Sequence, residues 1–320
     1  MRTVFMGTPD FAVPSLRKLH EAGHEVVLVV TQPDRPAGRG RALRCPPVKD
    51  EALCLDLPLE QHESVNTDEF AARLRELAPD VLVVVAFGQI LREDLLEIPS
   101  RGAINVHASL LPAYRGVAPI NWVIMKGESE TGVTTMYMNA GIDRGEIILS
   151  RKTPIGDMET AGELYERLSV MGAELLVETL ECIENGTAPR ERQDPDKANY
   201  VRKLRKADGD IDWGVDPREV FNQIRGTTPW PGAFTWYRGE VLRVTEAAPG
   251  GGPERGGEPG LVLAVDEERG LEVAAAGGSV WLVRVKPAGK REMDAASFVR
   301  GYGLVVGETR LGADAHTEGA

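Results

Sequence analysis

Seven consecutive residues, Val81–Phe87, carry no polar side-chain atom and read Val-Leu-Val-Val-Val-Ala-Phe. This is the longest apolar run in the chain, and it falls far short of the roughly 18 residues that cross a bilayer. Such a run predicts a strand buried on both faces, which in turn needs helices above and below it. The surrounding sequence supplies them. Strand-like runs at Thr3–Met6, Glu25–Val30, Asp80–Ala86, Gly102–His107, Gly132–Met136 and Glu146–Arg151 alternate with helical stretches at Phe11–Ala22, Val48–Leu55, Asp68–Leu77, Ala118–Lys126 and Thr160–Asn185. Strand, helix and strand in succession predict an α/β fold with a Rossmann-like, mostly parallel sheet. Asp10 is placed to cap the first helix and Gly23 to close it.

Near residue 186 the pattern changes. Asn185–Trp213 brings Gly186, Pro189, Pro195 and many charges, the composition of a linker. Beyond it, one short helix (Pro217–Ile224) precedes short strands at Ala233–Tyr237, Val241–Glu246, Gly260–Val265, Leu271–Ala275 and Val280–Val285, a spacing that predicts a small, OB-like β-barrel. The expected organisation is a first domain over 1–189, a linker over 190–206, a β-barrel over 207–310 and a frayed tail over 311–320. The glycine- and proline-rich Pro249–Gly260 reads as a hairpin loop without function.

Composition narrows the class. With 42% hydrophobic and 27% charged residues among 320, the chain can build a core and is no disordered segment. The N-terminus enters strand-like sequence at once, without a signal-peptide layout. Cys45, Cys54 and Cys182 are odd in number and far apart, which fits free thiols in a reducing cytoplasm and no zinc motif. A net charge of −12, divided equally between residues 1–206 and 207–320, excludes a broadly basic nucleic-acid platform. Two basic patches stand out against it. Arg35, Arg39, Arg41 and Arg44 share a loop with Pro33, Pro36, Gly38 and Gly40, opposed only by Asp34, and such a loop can reach phosphates. Arg202, Lys203, Arg205 and Lys206 lie in the linker. Taken alone, the first patch is better read as a solvated surface loop and the second as a soluble, extended linker.

The first strand-to-helix turn, Gly7-Thr8-Pro9-Asp10-Phe11, lacks the G-x-G-x-x-G that brings backbone up to a pyrophosphate, and Asp10 puts negative charge where phosphate would sit. Nicotinamide-dependent redox chemistry therefore loses its main support. The more informative stretch is Asn105-Val106-His107, where residues two apart on a strand share a face at the end where parallel sheets bind ligands. A histidine at a strand end more often serves structure than chemistry, so the pair alone decides little. A second candidate is the glycine-flanked loop Gly141-Ile142-Asp143-Arg144-Gly145, which composition alone would make a plain turn. Together the three side chains suit attack by a neutral amine on an amide-like formyl carbon. Asn105 can donate to the oxyanion, His107 can serve as an acid, and Asp143 can support the imidazole and take up the ammonium proton. That reaction needs no metal.

Asn105-Val106-His107-Ala108-Ser109-Leu110-Leu111-Pro112, followed by Tyr114-Arg115-Gly116 and Ala118-Pro119-Ile120, resembles the signature of the folate-dependent formyltransferases, and Gly141–Gly145 resembles their second signature loop. The resemblance implies Asn105, His107 and Asp143 as catalytic residues and 10-formyltetrahydrofolate as co-substrate. It implies folate contacts from Ser109, Leu110, Leu111 and Pro112, from Phe87, Gly88, Gln89, Ile90 and Leu91, and from Gly141 and Ile142. Arg144 departs from the threonine or alanine usual there. Gly7–Ala12, Thr31–Arg41 and the C-terminal β-domain are similar to the branch that formylates methionyl-initiator tRNA. That branch implies Arg35, Arg39, Arg41, Arg44, Arg202, Lys203, Arg205 and Lys206 as tRNA contacts, in a monomer with no membrane partner. The alternatives are an amino-sugar nucleotide formyltransferase and, from another class, a non-catalytic tRNA- or folate-binding protein. A mere binder has no use for all three of Asn105, His107 and Asp143.

Overall fold

A computed structural model describes residues 1–37 and 42–312 of the chain. In chain order the elements begin with β1 (Arg2–Gly7), α1 (Val13–Glu21), β2 (Glu25–Thr31), β3 (Arg35–Ala37), β4 (Ala42–Arg44), α2 (Pro47–Cys54) and β5 (Leu59–Gln61). They continue with α3 (Asp68–Leu77), β6 (Val81–Val85), α4 (Glu93–Leu96), β7 (Ala103–His107), β8 (Arg115–Gly116), α5 (Pro119–Met125), β9 (Glu130–Tyr137), β10 (Ile147–Pro154), α6 (Ala161–Glu184) and β11 (Tyr200–Val201).

Seven of these strands form one sheet in the order β10-β9-β7-β6-β1-β2-β5. The five from β7 to β5 are parallel, while β9 runs antiparallel to β7 and β10 antiparallel to β9. The Rossmann-like, mostly parallel sheet expected from the alternating pattern is therefore present. Every residue of β6 is buried, as its unbroken apolar composition requires. Phe70 and Leu74 of α3 pack with Val4, Leu28 and Leu82 in one core cluster. The helix starts where Thr67 accepts a hydrogen bond from the Phe70 N–H at 3.2 Å, a cap that contributes about 1 kcal/mol. Register sets Gly7 beside Val85 and Val84 beside Asn105, so the carboxyl ends of β1, β6 and β7 come level.

The remaining elements are α7 (Pro217–Thr227), β12 (Ala233–Tyr237), β13 (Glu240–Pro249), β14 (Val262–Asp266), β15 (Gly270–Ala275), β16 (Gly278–Pro287), β17 (Met293–Asp294) and α8 (Ala295–Tyr302). The strands make a small antiparallel sheet of barrel-like type, ordered β12-β13-β16-β15-β14 with β17 on β16. Single bridges, Asp210 to Phe234 and Leu261 to Arg310, cover its two edges. Phe221 of α7 and Phe298 of α8 are buried in its core with Trp213, Leu242 and Leu282.

By backbone contacts the chain divides into two units. The first holds the described residues of Met1–Pro119 together with Glu130–Pro154 and Tyr165–Val201. The second holds Ile120–Ser129, Ile155–Leu164 and the described chain from Arg202. Within the second, Asn121 Nδ2 donates to the Gly226 carbonyl at 2.8 Å, and Arg225 Nη1 donates to the carbonyls of Gly156 and Glu159 at 3.0 and 3.2 Å. These side chain-to-backbone bonds tie two short sequence-distant segments to α7.

Two expectations need correction. Asp10 does not cap an α-helix: a 3-10 turn covers Asp10–Ala12, and α1 starts at Val13, where Pro14 is tolerated in the first turn. The Asp10 carboxylate instead accepts from the Phe11 N–H and the Tyr165 hydroxyl. The stretch Asn185–Trp213 is also more than linker, since Tyr200 and Val201 pair in parallel with Arg115 and Gly116. Residues 311 and 312 of the expected tail are described, and Leu311 is buried; the rest of that tail lies outside the described residues.

Candidate active site

Strand β7 places Asn105 and His107 two residues apart, and its neighbours fix both side chains. Asn105 Nδ2 donates to the Val84 carbonyl of β6 at 3.0 Å, which orients the amide. Its Oδ1 is buried and has no hydrogen-bond partner among the described residues. His107 is 7% exposed, and its Nε2 lies 2.9 Å from the Tyr114 carbonyl. A carbonyl can only accept, so Nε2 carries the hydrogen and Nδ1 is the nitrogen left for other work.

Nδ1 lies 3.7 Å from Asp143 Oδ1, which brings together residues from two stretches that are 36 positions apart. The other carboxylate oxygen, Oδ2, accepts from the Gly116 N–H at 2.7 Å. Asp143 adopts φ 51°, and Tyr114, whose carbonyl meets the histidine, adopts φ 58°. Both are left-handed conformations that non-glycine residues hold only when their surroundings insist. Between β7 and β8 the chain is pinned by Thr134. Its hydroxyl donates to the Ser109 carbonyl at 2.7 Å and accepts from the Leu111 N–H at 3.2 Å.

The expected folate segments divide by exposure. Ser109 is buried with its hydroxyl donating to the Ala113 carbonyl, and Leu111 joins Met136 and Ile147 in a small apolar cluster. Leu110 and Pro112 are half-buried, and Gly88 holds φ 89° at a turn. Phe87 and Leu91 point into the core, and the Gln89 amide is taken up by Val65 N–H and the His62 and Glu63 carbonyls. Ile90 and Ile142 are the exposed apolar side chains of the set, at 66% and 50%. The Gly141 N–H donates to Asn139 Oδ1. A cavity of about 490 Å³ opens among Tyr137, Arg144, Glu146, Arg190, Arg192 and Gln193. Its lining is polar and cationic and includes none of Asn105, His107 and Asp143.

Of the arginine loop, Arg39 and Arg41 lie outside the described residues. Arg35 and Arg44 stand opposite each other in the antiparallel pair of β3 and β4. Arg35 is engaged by Glu63 at 2.8 Å, and Arg44 is exposed. Among the described residues, Asp34 pairs with Lys49 rather than with Arg35 or Arg44. Hydrogen bonds from Lys49 and Gln61 hold its carboxyl below the usual range, with Lys49 Nζ 2.8 Å away. In the second unit, Arg202 pairs with Asp208 and lies over the Trp122 ring, while Lys203, Arg205 and Lys206 are exposed. Among the described residues, no group of three or more His, Cys, Asp or Glu side chains could hold a metal ion.

The formyl transferase model matches residues 1–180 and the formyl transferase C-terminal domain model matches residues 203–303. This chain belongs to the formyl transferase family. Over 312 residues the formyl transferase is 49% identical to the methionyl-tRNA formyltransferase of Geobacter sulfurreducens, covering 98% of this chain and 97% of that one. Among solved structures it resembles the N-formyltransferase from Helicobacter canadensis in complex with folinic acid and dTDP-3-aminofucose, with TM-score 0.66, 20% identity, 88% of this chain and 98% of that one covered. It also resembles HypX from Aquifex aeolicus in complex with tetrahydrofolic acid, with TM-score 0.62 and 20% identity. That match covers 96% of this chain but spans 48% of the longer HypX.

Residues that sequence reasoning did not assign also meet at this site. Arg115, 5% exposed, and Gln193 bind one another beside the Asp143 loop, and Asn199 accepts from the Tyr114 N–H through its side chain. Arg115 carried a signal as part of the quoted Tyr114–Gly116 motif; Gln193 and Asn199 carried none. The loop also depends on Gly145, where an added Cβ would stand 1.5 Å from the Tyr137 carbonyl oxygen. Gly145→Ala in the formyl transferase must therefore move the backbone beside Asp143. We expect it to lower the formyl-transfer rate about tenfold, a modest misplacement effect, while helix content by circular dichroism stays intact. An unchanged rate would show that the tight turn is dispensable.

Proposed function

We propose that this chain transfers the formyl group of 10-formyltetrahydrofolate to the free amino group of methionyl-initiator tRNA, giving N-formylmethionyl-tRNA for translation initiation. The observation that carries this reading is identity of 49% to a methionyl-tRNA formyltransferase across nearly the whole of both chains, both units included. The folate ligands in the Helicobacter canadensis and Aquifex aeolicus structures support the donor class. The residues present fit such substrates. The buried Asn105 Oδ1, without a partner among the described residues, can accept an N–H from a bound molecule, and exposed Ile90 and Ile142 offer apolar surface to a flat ring.

The co-substrate supplies the formyl carbon, and the protein's work is to position it and move protons. Asn105 Nδ2 spends one hydrogen on Val84 O and keeps its second for the oxygen that gains charge as the amine attacks. His107 works through Nδ1, since Nε2 is occupied by Tyr114 O. As imidazolium it donates towards that oxygen or to the leaving nitrogen, and Asp143 Oδ1 supports its charge. The proton released by the attacking amine passes to Asp143, directly or through water.

For the acceptor, Arg35, Arg39, Arg41 and Arg44 on the loop and Arg202, Lys203, Arg205 and Lys206 from the following segment contact tRNA phosphates. The protein acts in the cytoplasm as a monomer, where charged initiator tRNA is available. The second reading, formylation of an amino-sugar nucleotide, draws on the Helicobacter canadensis structure, whose 20% identity speaks to fold. Incubating the chain with formyl donor and either charged initiator tRNA or an amino-sugar nucleotide, then measuring acid-stable formyl label, separates the two. Label on the sugar and none on methionine would overturn our proposal. In the same assay we expect Arg39→Ala to cut methionyl-tRNA turnover severely while formyl-donor binding, followed by fluorescence, is kept. Unchanged turnover would remove the loop from tRNA recognition.

A further inference from the structure

Gln193 sits in a segment whose composition reads as linker, yet both ends of its amide are engaged at the reaction centre. Its Nε2 donates to the Asp143 carbonyl at 3.0 Å and to the Gly145 carbonyl at 2.8 Å. Its Oε1 accepts from Arg115 Nε at 3.0 Å and Nη2 at 2.7 Å. Arg115 is buried, and its neighbour Gly116 gives its N–H to the Asp143 carboxylate. The backbone and the side chain of Asp143 are thus held from two sides by one continuous network, running Asp143 carbonyl, Gln193, Arg115, Gly116, Asp143 carboxylate. Arg144 adds a third tether. It donates to the Tyr200 hydroxyl and lies 5.6 Å from that ring's centroid, while β11, which carries Tyr200, pairs with β8. The unusual arginine therefore fastens the loop outward and leaves the aspartate facing the histidine.

These restraints matter because the geometry they hold is costly and has little slack. Asp143 sits at φ 51°, and its Oδ1 already lies 3.7 Å from His107 Nδ1. A relaxation of about 1 Å would take the carboxylate out of direct contact with the imidazole and leave a proton only a path through a bridging water.

We propose that Gln193 is a positioning residue for formyl transfer, fixing the carbonyls on either side of Arg144 so that the Asp143 carboxylate stays against His107 Nδ1. This rests on the reading of Asp143 as catalytic, and the experiment separates the two. Steady-state kcat and KM are measured for Gln193→Leu, Gln193→Glu, Asp143→Asn and the Gln193→Leu/Asp143→Asn pair, each normalised to the folded fraction from a thermal melt. Gln193→Leu is expected to lower kcat about 10- to 100-fold with both KM values nearly unchanged. Gln193→Glu keeps an acceptor for Arg115 but loses both donors to the loop, so it falls with leucine, and it carries the test if leucine prevents folding. In the Asp143→Asn background the leucine change should cost less than about twofold, because the two residues act as one unit. Wild-type kcat in Gln193→Glu, or losses that simply multiply in the pair, would overturn the positioning role. Full activity in Asp143→Asn would instead overturn the catalytic reading beneath it.

Discussion

Replacing His107 with glutamine is expected to lower kcat by about 10³-fold, within the range that acid–base assistance supplies, while the chain stays folded. Glutamine can keep an N–H donor towards the Tyr114 carbonyl, the contact His107 now makes at 2.9 Å. It cannot pick up and release a proton beside Asp143. The substitution thus removes the chemistry of Nδ1 while sparing much of the packing. Both KM values should change little, because the imidazole is asked to act while bonds form and break. The measurement is kcat for both chains, with melting temperature as a control. A glutamine chain that keeps kcat within a few-fold of wild type would remove proton transfer by this residue from the reaction.

How much of this was readable in advance depends on how far apart the interacting residues lie in sequence. β6 was legible because five aliphatic residues in a row leave few other places to go, and all five are buried. The shared face of Asn105 and His107 followed from strand periodicity, and β7 carries both. Three-residue β5 and two-residue β8, β11 and β17 were missed, since periodicity needs more residues than they contain. Helix α8 was missed as well, although Asp294 accepts from the Ser297 N–H as a cap should.

Side-chain partners were the least legible. Asp34 looked like the counterweight to four arginines, yet Lys49, one turn into the next helix, takes it, and Arg35 goes to Glu63. Charge proximity in sequence says little about which pair forms, because exposed pairs are weak and geometry chooses among them. The Asp143 loop had the composition of any tight turn. Its left-handed aspartate and its hold by Gln193, 50 residues on, are properties of the folded chain alone.

Asn105→Leu should separate activity from stability in the opposite way to most buried substitutions. Removing one preorganised donor to a developing oxyanion costs about 10²- to 10³-fold in rate, and leucine has no donor to offer. Stability need not follow. Asn105 gives up about 1 kcal/mol with its bond to Val84 O, but its buried Oδ1 lacks a partner among the described residues and such an atom costs about 1–3 kcal/mol. Leucine, similar in size, removes that orphan, so the melting temperature of the free enzyme should hold or rise while kcat collapses. Thermal melts and single-turnover rates on the same preparation decide it. If the leucine chain melts lower and its folded fraction keeps the wild-type rate, Asn105 supports the sheet and another group must steady the oxyanion.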